Sequence, residues 1–245
     1  MKGKYMAYVG SYSYNGQAKG ITVYDVDVAK GRFIPRCEME VDNSSYVIAS
    51  NDGKTLYSIA DEGVVSFRIH ENGAITRLNS ANIKGMRGCH LSTDAEDKYI
   101  FVSGYHDGKS TVLRLNPDGT VGDIVDGVFH KGLGSVAERN FRPHVSCTRR
   151  TPDGRFVMVA DLGIDQVKIY RFDEKEEKLY RQMEKDMLLP FEDGDVDAVN
   201  AAALSGKLLQ MANGAVYDEN HKVRHIHDKN CLLYTSPSPR DRSLS

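Results

Sequence analysis

The side chains best suited to chemistry crowd between Arg142 and Asp165. Arg142-Pro143-His144-Val145-Ser146 leads into Arg149-Arg150 and, after a turn, into Asp161-Leu162-Gly163-Ile164-Asp165. An imidazole takes up or delivers protons, and a guanidinium holds an anion or a developing oxyanion. Arg142 stands one residue from Pro143-His144, where it could bind an anionic group or sit as a surface cation at the start of a strand. Arg149 and Arg150 point to opposite faces of a regular strand, so at most one turns inward. Asp161 and Asp165 flank a Leu-Gly pair and could orient His144 or bind a cation, although carboxylates at such places commonly build the turn itself. Gly163 is then expected to supply the turn's φ freedom.

The elements that must carry these residues repeat. Thr151-Pro152-Asp153-Gly154-Arg155-Phe156-Val157-Met158-Val159-Ala160 sets a polar turn, a basic residue and an apolar run in order. Ser50-Asn51-Asp52-Gly53-Lys54-Thr55-Leu56-Tyr57 repeats that order, Asp97-Lys98-Tyr99-Ile100-Phe101-Val102 gives a third copy, and Lys4-Tyr5-Met6-Ala7-Tyr8-Val9 a fourth. The period is roughly 45 to 55 residues, within the range of propeller blades and longer than helical-pair repeats. Each copy continues into a second strand-like run, at Gly20–Asp27, Gly63–Ile69, Ser110–Leu115 and Gln166–Phe172. Period-two runs of β-branched and aromatic residues bounded by Gly, Asn and Asp are strand signals. Lys30-Gly31, Glu71-Asn72-Gly73 and Pro117-Asp118-Gly119 follow as hairpin turns, in which Asn or Asp with Gly is expected to supply positive φ.

Composition excludes several classes. With 40% hydrophobic and 27% charged residues and a formal net charge of −2, the chain reads as an ordinary globular protein with no basic face for nucleic acid. No apolar run reaches the ~20 residues of a membrane span, and Met1-Lys2-Gly3-Lys4-Tyr5 leads straight into a strand, so a cytoplasmic location is expected. Cys37, Cys89, Cys147 and Cys231 are widely spaced, which indicates neither a zinc site nor a disulfide framework; the first three are expected to be buried. His221, His225, His227 and Asp228 could be drawn as a metal site, but without a second ligand cluster they read as a solvated strand. His90 and His106-Asp107 are placed at turns, Gly132-Leu133-Gly134-Ser135 in a loop, and Asp173–Lys178 at a charged hairpin tip. No metal and no cofactor are expected.

Ala7-Tyr8-Val9-Gly10-Ser11-Tyr12 with Gly20-Ile21-Thr22-Val23-Tyr24, and Arg142-Pro143-His144-Val145-Ser146 with Thr151-Pro152-Asp153-Gly154 and Asp161-Leu162-Gly163-Ile164-Asp165, resemble the lactonase family of seven-bladed β-propellers. The resemblance covers residues 1–190. It implies an all-β fold, here an incomplete β-propeller of about four blades, and hydrolysis of 6-phosphogluconolactone or a related sugar lactone without a cofactor. Opening such a ring requires activating water, stabilising a tetrahedral oxyanion and protonating the leaving ring oxygen. His144 matches the family's Pro-His phrase and is implied as general base or oxyanion donor, with Arg142 and Arg149 as substrate-binding residues and Asp161 and Asp165 as orienting or structural ones. The chain has Ser146 where many members carry a second His, and no match to the family's Gly-Pro-Arg-His phrase. An open ring and a missing arginine imply that this copy is inactive. A non-catalytic binding module on the same architecture is the alternative.

Beyond Pro190 the texture changes. Phe191-Glu192-Asp193-Gly194-Asp195 reads as a hinge, and Val196–Ala212 as a short helix with Val196, Val199, Ala203, Leu204, Leu208 and Met211 near one face. Residues 198–228 resemble a fragment of phage helicases of the Swi/Snf-related type, without a phosphate loop. Residues 231–245 resemble translated sequencing-adaptor DNA and are expected to be a disordered tail. Three segments, 1–190, 191–230 and 231–245, and a chimeric chain are the expectation.

Overall fold

The computed structural model describes residues 5–135, 141–172, 188–189, 196–197, 215–217 and 222–225. Within it the sequence copies become antiparallel sheets. β1 (Tyr5–Gly10), β2 (Gly20–Asp27) and β3 (Arg32–Glu40) form a three-stranded sheet in chain order. β4 (Val47–Ala49), β5 (Thr55–Ala60), β6 (Gly63–Ile69) and β7 (Ile75–Asn82) form a four-stranded one, as do β8 (His90–Thr93), β9 (Tyr99–Gly104), β10 (Lys109–Leu115) and β11 (Val121–Phe129). β12 (Val145–Arg150), β13 (Phe156–Asp161) and β14 (Gln166–Arg171) make a further three-stranded sheet.

The turn between the first and second strands is one object used three times. Gly53, Asp97 and Gly154 each donate N–H to the carbonyl three residues back, at 3.0, 3.2 and 2.8 Å, and each has a left-handed φ, of 70°, 51° and 71°. In two copies the first hydroxyl also reaches the turn aspartate, Ser50 to Asp52 and Thr151 to Asp153, both at 2.6 Å. The hairpins at Gly73 and Gly119 differ from expectation. Positive φ falls on the glycines alone, at 80° and 88°, while Asn72 and Asp118 use their side-chain oxygens to accept the N–H of Ala74 (3.0 Å) and Thr120 (2.9 Å). A side-chain acceptor closes the turn without requiring a second strained residue.

Strand alternation divides each sheet into two faces, and both are buried in the middle of the molecule's first unit. Leu56 pairs with Phe67 and Ser58 with Val65, whereas Tyr57 pairs with Ser66 and Ile59 with Val64. Leu56, Val65 and Phe67 pack with Ile21 and Val23 of the first sheet and with Val41, just after it. Tyr57, Ile59 and Val64 pack with Leu91, Ile100, Val102 and Leu113 of the third. Two-sided burial is why these strands read as near-continuous apolar runs. The third sheet's other face is different: Ser103 and Ser110 meet the Thr148 hydroxyl, each at 3.0 Å, and Ser92 donates to its carbonyl at 2.6 Å.

Hairpin tips lock one sheet to the one before it. Tyr8 OH donates to the Gly73 carbonyl at 2.9 Å and Arg36 donates to that of Asn72. One repeat later Arg68 donates to the Asp118 carbonyl at 2.9 Å. Asn79 on β7 bridges to β11, donating to the Val121 carbonyl at 2.7 Å and accepting its N–H at 2.9 Å.

Several expectations are corrected. Cys37 is exposed, and Cys89 and Cys147 are only partly buried; Cys37 lies on β3, an outer strand largely open to solvent. Val196 does not start a helix: Val196–Asp197 is a strand, β16, paired antiparallel with β15 (Leu188–Leu189). Adjacent partner strands override a helical spacing that Val, β-branched, supports poorly. Most of the expected helix, like the charged tip at 173–178 and the tail at 231–245, lies outside the described residues. A last pair joins β17 (Ala215–Tyr217) to β18 (Val223–His225), and His221, His227 and Asp228 are outside the described residues. The chain divides into two compact units: among described residues, 5–135, 141–154 and 158–168 belong to the first, and 155–157, 169–172 and β15 to β18 to the second.

Phe67 is fully buried between sheets. Phe67→Ala is expected to lower unfolding free energy by about 3–5 kcal/mol, read from urea denaturation; a loss below about 1 kcal/mol would contradict its place in the core.

Candidate functional site

Loops that follow the second strand of each sheet lie at the same end as the loops that lead into the first. At this end three carboxylates do the same job. Asp61, just after β5, accepts both Nδ2 hydrogen bonds of Asn43, at 3.0 and 2.9 Å. Asp107, after β9, accepts the Met86 N–H at 2.9 Å. Asp161, closing β13, accepts the N–H of His144 at 2.7 Å and of Gly163 at 2.9 Å. Each thus ties down the segment that delivers its own sheet's first strand.

The third clamp builds the densest site. Asp161 and His130 have fully buried side chains, and Asp161 Oδ2 lies 2.7 Å from His130 Nδ1. Burial pushes the Asp161 carboxyl up, but the His130 hydrogen bond, the amides of His144 and Gly163 and the His130 charge outweigh it, so the group is held below its ordinary value. His144 is buried at 6% exposure. Its ring stacks on Tyr105 at 4.3 Å and 18°, with the Phe141 edge 6.3 Å away.

One contact fixes what the His144 ring can do. Nδ1 lies 2.7 Å from the Tyr105 carbonyl oxygen, which can only accept, so Nδ1 carries the proton. Nε2 makes no hydrogen bond among the described residues, and in the neutral ring it holds the lone pair. Gly163 is needed for a reason other than the one expected. It has no positive φ; a Cβ there would strike the Arg142 carbonyl and stand 2.7 Å from His144 N and 2.9 Å from the His144 ring. The left-handed residue of this turn is Asp165, with φ 53°.

The remaining sequence candidates scatter. Asp165 accepts the N–H and hydroxyl of Ser135, at 2.9 and 2.7 Å, and so ties two loops together. Arg142 is exposed, its guanidinium over the Phe141 ring at 5.5 Å. Arg150 turns back to the Gly154 carbonyl at 2.7 Å and the buried Asp94 at 3.2 Å. Arg149 is exposed, and its charge acts on Cys147 and His90. His90 is not in a turn. It opens β8, with Tyr46 at 4.9 Å and Cys147 Sγ 3.7 Å from Nε2, and its buried Nδ1 has no hydrogen-bond partner among the described residues. Burial pushes His90 below its ordinary value, and Arg149 adds to that. His130 was not singled out by the sequence: between Phe129 and Lys131 no local pattern marks it, since its partner lies 31 residues on.

Meandering three- and four-stranded sheets, repeated and buried on both faces, define a β-propeller protein, here with an imidazole and a carboxylate at the loop end. Residues 6–195 match the model of the lactonase family, a seven-bladed β-propeller. The chain belongs to that family. It is 33% identical over 174 residues to 6-phosphogluconolactonase of Bacillus subtilis, covering 69% of this chain and 49% of that protein. A solved structure from Bacteroides fragilis, provisionally named a 6-phosphogluconolactonase, is 25% identical with a TM-score of 0.66, over 96% of this chain and 67% of that one. The periplasmic gluconolactonase of Pseudomonas aeruginosa shares the fold, at 20% identity and a TM-score of 0.64, over 96% and 67% of the two chains. The chain spans about half the length of the curated relatives it matches.

Two outcomes test this geometry. Gly163→Ala is expected to cost roughly 1–3 kcal/mol of stability and to displace the His144 ring resonances; unchanged spectra would mean the close approach is not real. A carboxyl held low contributes stability that is full above its unfolded pKa, about 4, and lost as pH falls through its lower folded value. Acid unfolding below about pH 4 should therefore flatten in Asp161→Asn, and parallel acid limbs for the two proteins would contradict the clamp.

Proposed function

We propose that the site opens sugar lactones by hydrolysis, with 6-phosphogluconolactone or a close relative as substrate. The observation that carries this is the committed Nδ1 proton of His144, which leaves Nε2 as an acceptor and favours a general base over an oxyanion donor. Water gives a proton to Nε2 as its oxygen bonds to the lactone carbonyl carbon. The tetrahedral oxyanion then collapses, the carbon–ring oxygen bond breaks, and the imidazolium returns the proton to the departing ring oxygen. The product is the open-chain hydroxy acid, which ionises in water. Arg142, exposed and two residues from His144, is the candidate to hold the substrate's anionic group, whereas Arg149 lies further along β12, by Cys147 and His90. Asp161 sets the His144 backbone, and its second oxygen is engaged by His130, so the imidazole is placed without a carboxylate on its own ring. The family's name and the Bacillus subtilis relative support the substrate class.

Turnover should depend on His144. His144→Ala and His144→Gln are each expected to remove it to the buffer rate, a loss of about 100-fold or more where general base catalysis operates, in a pH-stat assay with 6-phosphogluconolactone. Turnover that survives both substitutions, or none from the wild-type chain, rejects the reading.

A further inference from the structure

A second constructed feature stands at the same end of the sheets, on loops of the first three. Asn43 is buried and holds a left-handed φ of 51°, a conformation that asparagine enters more readily than other non-glycine residues. Its side-chain oxygen accepts the N–H of Ser13 at 3.0 Å and of Tyr14 at 3.1 Å. Its backbone N–H donates to the Ser13 hydroxyl at 2.9 Å, and its Nδ2 is held by Asp61. The β1–β2 loop is thereby fixed with two tyrosines standing out. Tyr12 is 49% and Tyr14 79% exposed, edge to face with centroids 6.1 Å apart.

Arg87 completes the group. Its guanidinium lies over the Tyr12 ring at 5.0 Å and gives Nη1 to Asp61 at 2.9 Å. The Nε and Nη2 hydrogens have no partner among the described residues. An oriented half-fork of donors, held by Asp61, therefore sits against an exposed aromatic face on a loop held by the buried Asn43. Stacking on an aromatic face suits the C–H side of a sugar, and a guanidinium edge suits the paired oxygens of a phosphate or carboxylate.

We propose that Tyr12, Tyr14 and Arg87 form a binding subsite for an anionic sugar, in which the tyrosines take the sugar's apolar side and the free edge of Arg87 takes its phosphate or carboxylate. The proposal rests on the lactonase reading for its ligand class. Asp61 balances the charge of Arg87, so selectivity comes from directed donors and from the ring, not from net charge.

Titration of the full chain with 6-phosphogluconate, D-gluconate and inorganic phosphate, followed by NMR and calorimetry, decides it. Wild type is expected to bind 6-phosphogluconate and to shift the Arg87 Nε–H signal. Arg87→Gln should weaken binding about 10-fold or more, and Tyr12→Ala severalfold. Should Arg87→Gln not fold, Arg87→Lys keeps the charge but loses the fork, and the same weakening is expected. Gluconate binding as tightly as 6-phosphogluconate assigns the carboxylate to Arg87; weaker gluconate binding assigns the phosphate. The proposal is overturned if wild type binds none of the three, if the Arg87 variants bind like wild type, or if inorganic phosphate matches 6-phosphogluconate. Failure of the lactonase reading shows as turnover that does not depend on His144, whereas failure of this subsite shows as unchanged affinity in the Arg87 variants, so the two are separately visible.

Discussion

A sheet buried on both faces cannot stand alone, and that constraint governs the rest of this molecule. Leu56, Val65 and Phe67 face one neighbour while Tyr57, Ile59 and Val64 face the other. Fully burying a side chain of this kind contributes about 1.5–3 kcal/mol, and each face realises that gain only when its own neighbour is present. The boundary between the third sheet and β12 relies on a different chemistry. There Ser92, Ser103 and Ser110 converge on Thr148, and each hydrogen bond adds a net ~1 kcal/mol while demanding exact placement of small side chains. Hydroxyl pairs fix register where aliphatic contacts would allow sliding.

Close stacking of the sheets brings their loops together, and carboxylates hold them there, of which Asp161 is buried. Asp61, Asp107 and Asp161 follow the second strands of three successive sheets and fasten the segment leading into the first. Desolvation opposes a buried negative charge, which survives only with several donors. Asp161 has three, two of them amides whose positions the fold dictates. The same clamp serves different ends at different sheets: beside Asn43 it steadies a pair of exposed tyrosines, and beside His144 it sets a buried imidazole.

Local chemistry was legible in the chain, and distant chemistry was not. The copies at Lys54, Lys98 and Arg155, with the turns beside them, mark strands that the structure contains, because strand alternation and turn residues act over a few positions. Asp161 and His144 stood out through their own phrase. His130 did not, because its meaning depends on a carboxylate brought in by another strand. Gly163 illustrates a subtler limit: its place in a turn suggested backbone freedom, yet what excludes a side chain there is the carbonyl of Arg142. Cys37 and Val196 failed in the same way, since neither edge exposure nor a short partner strand is written in the neighbouring residues.

The two central histidines show how similar side chains acquire different duties. His130 directs Nδ1 at a carboxylate and is sealed from solvent, which makes it part of the clamp. His144 directs Nδ1 at a neutral carbonyl, and the carboxylate beneath it holds its backbone and not its ring. A carbonyl partner fixes the tautomer without competing for the other nitrogen. Placement of the imidazole and the freedom of its lone pair therefore come from separate partners, which is the arrangement a proton acceptor needs.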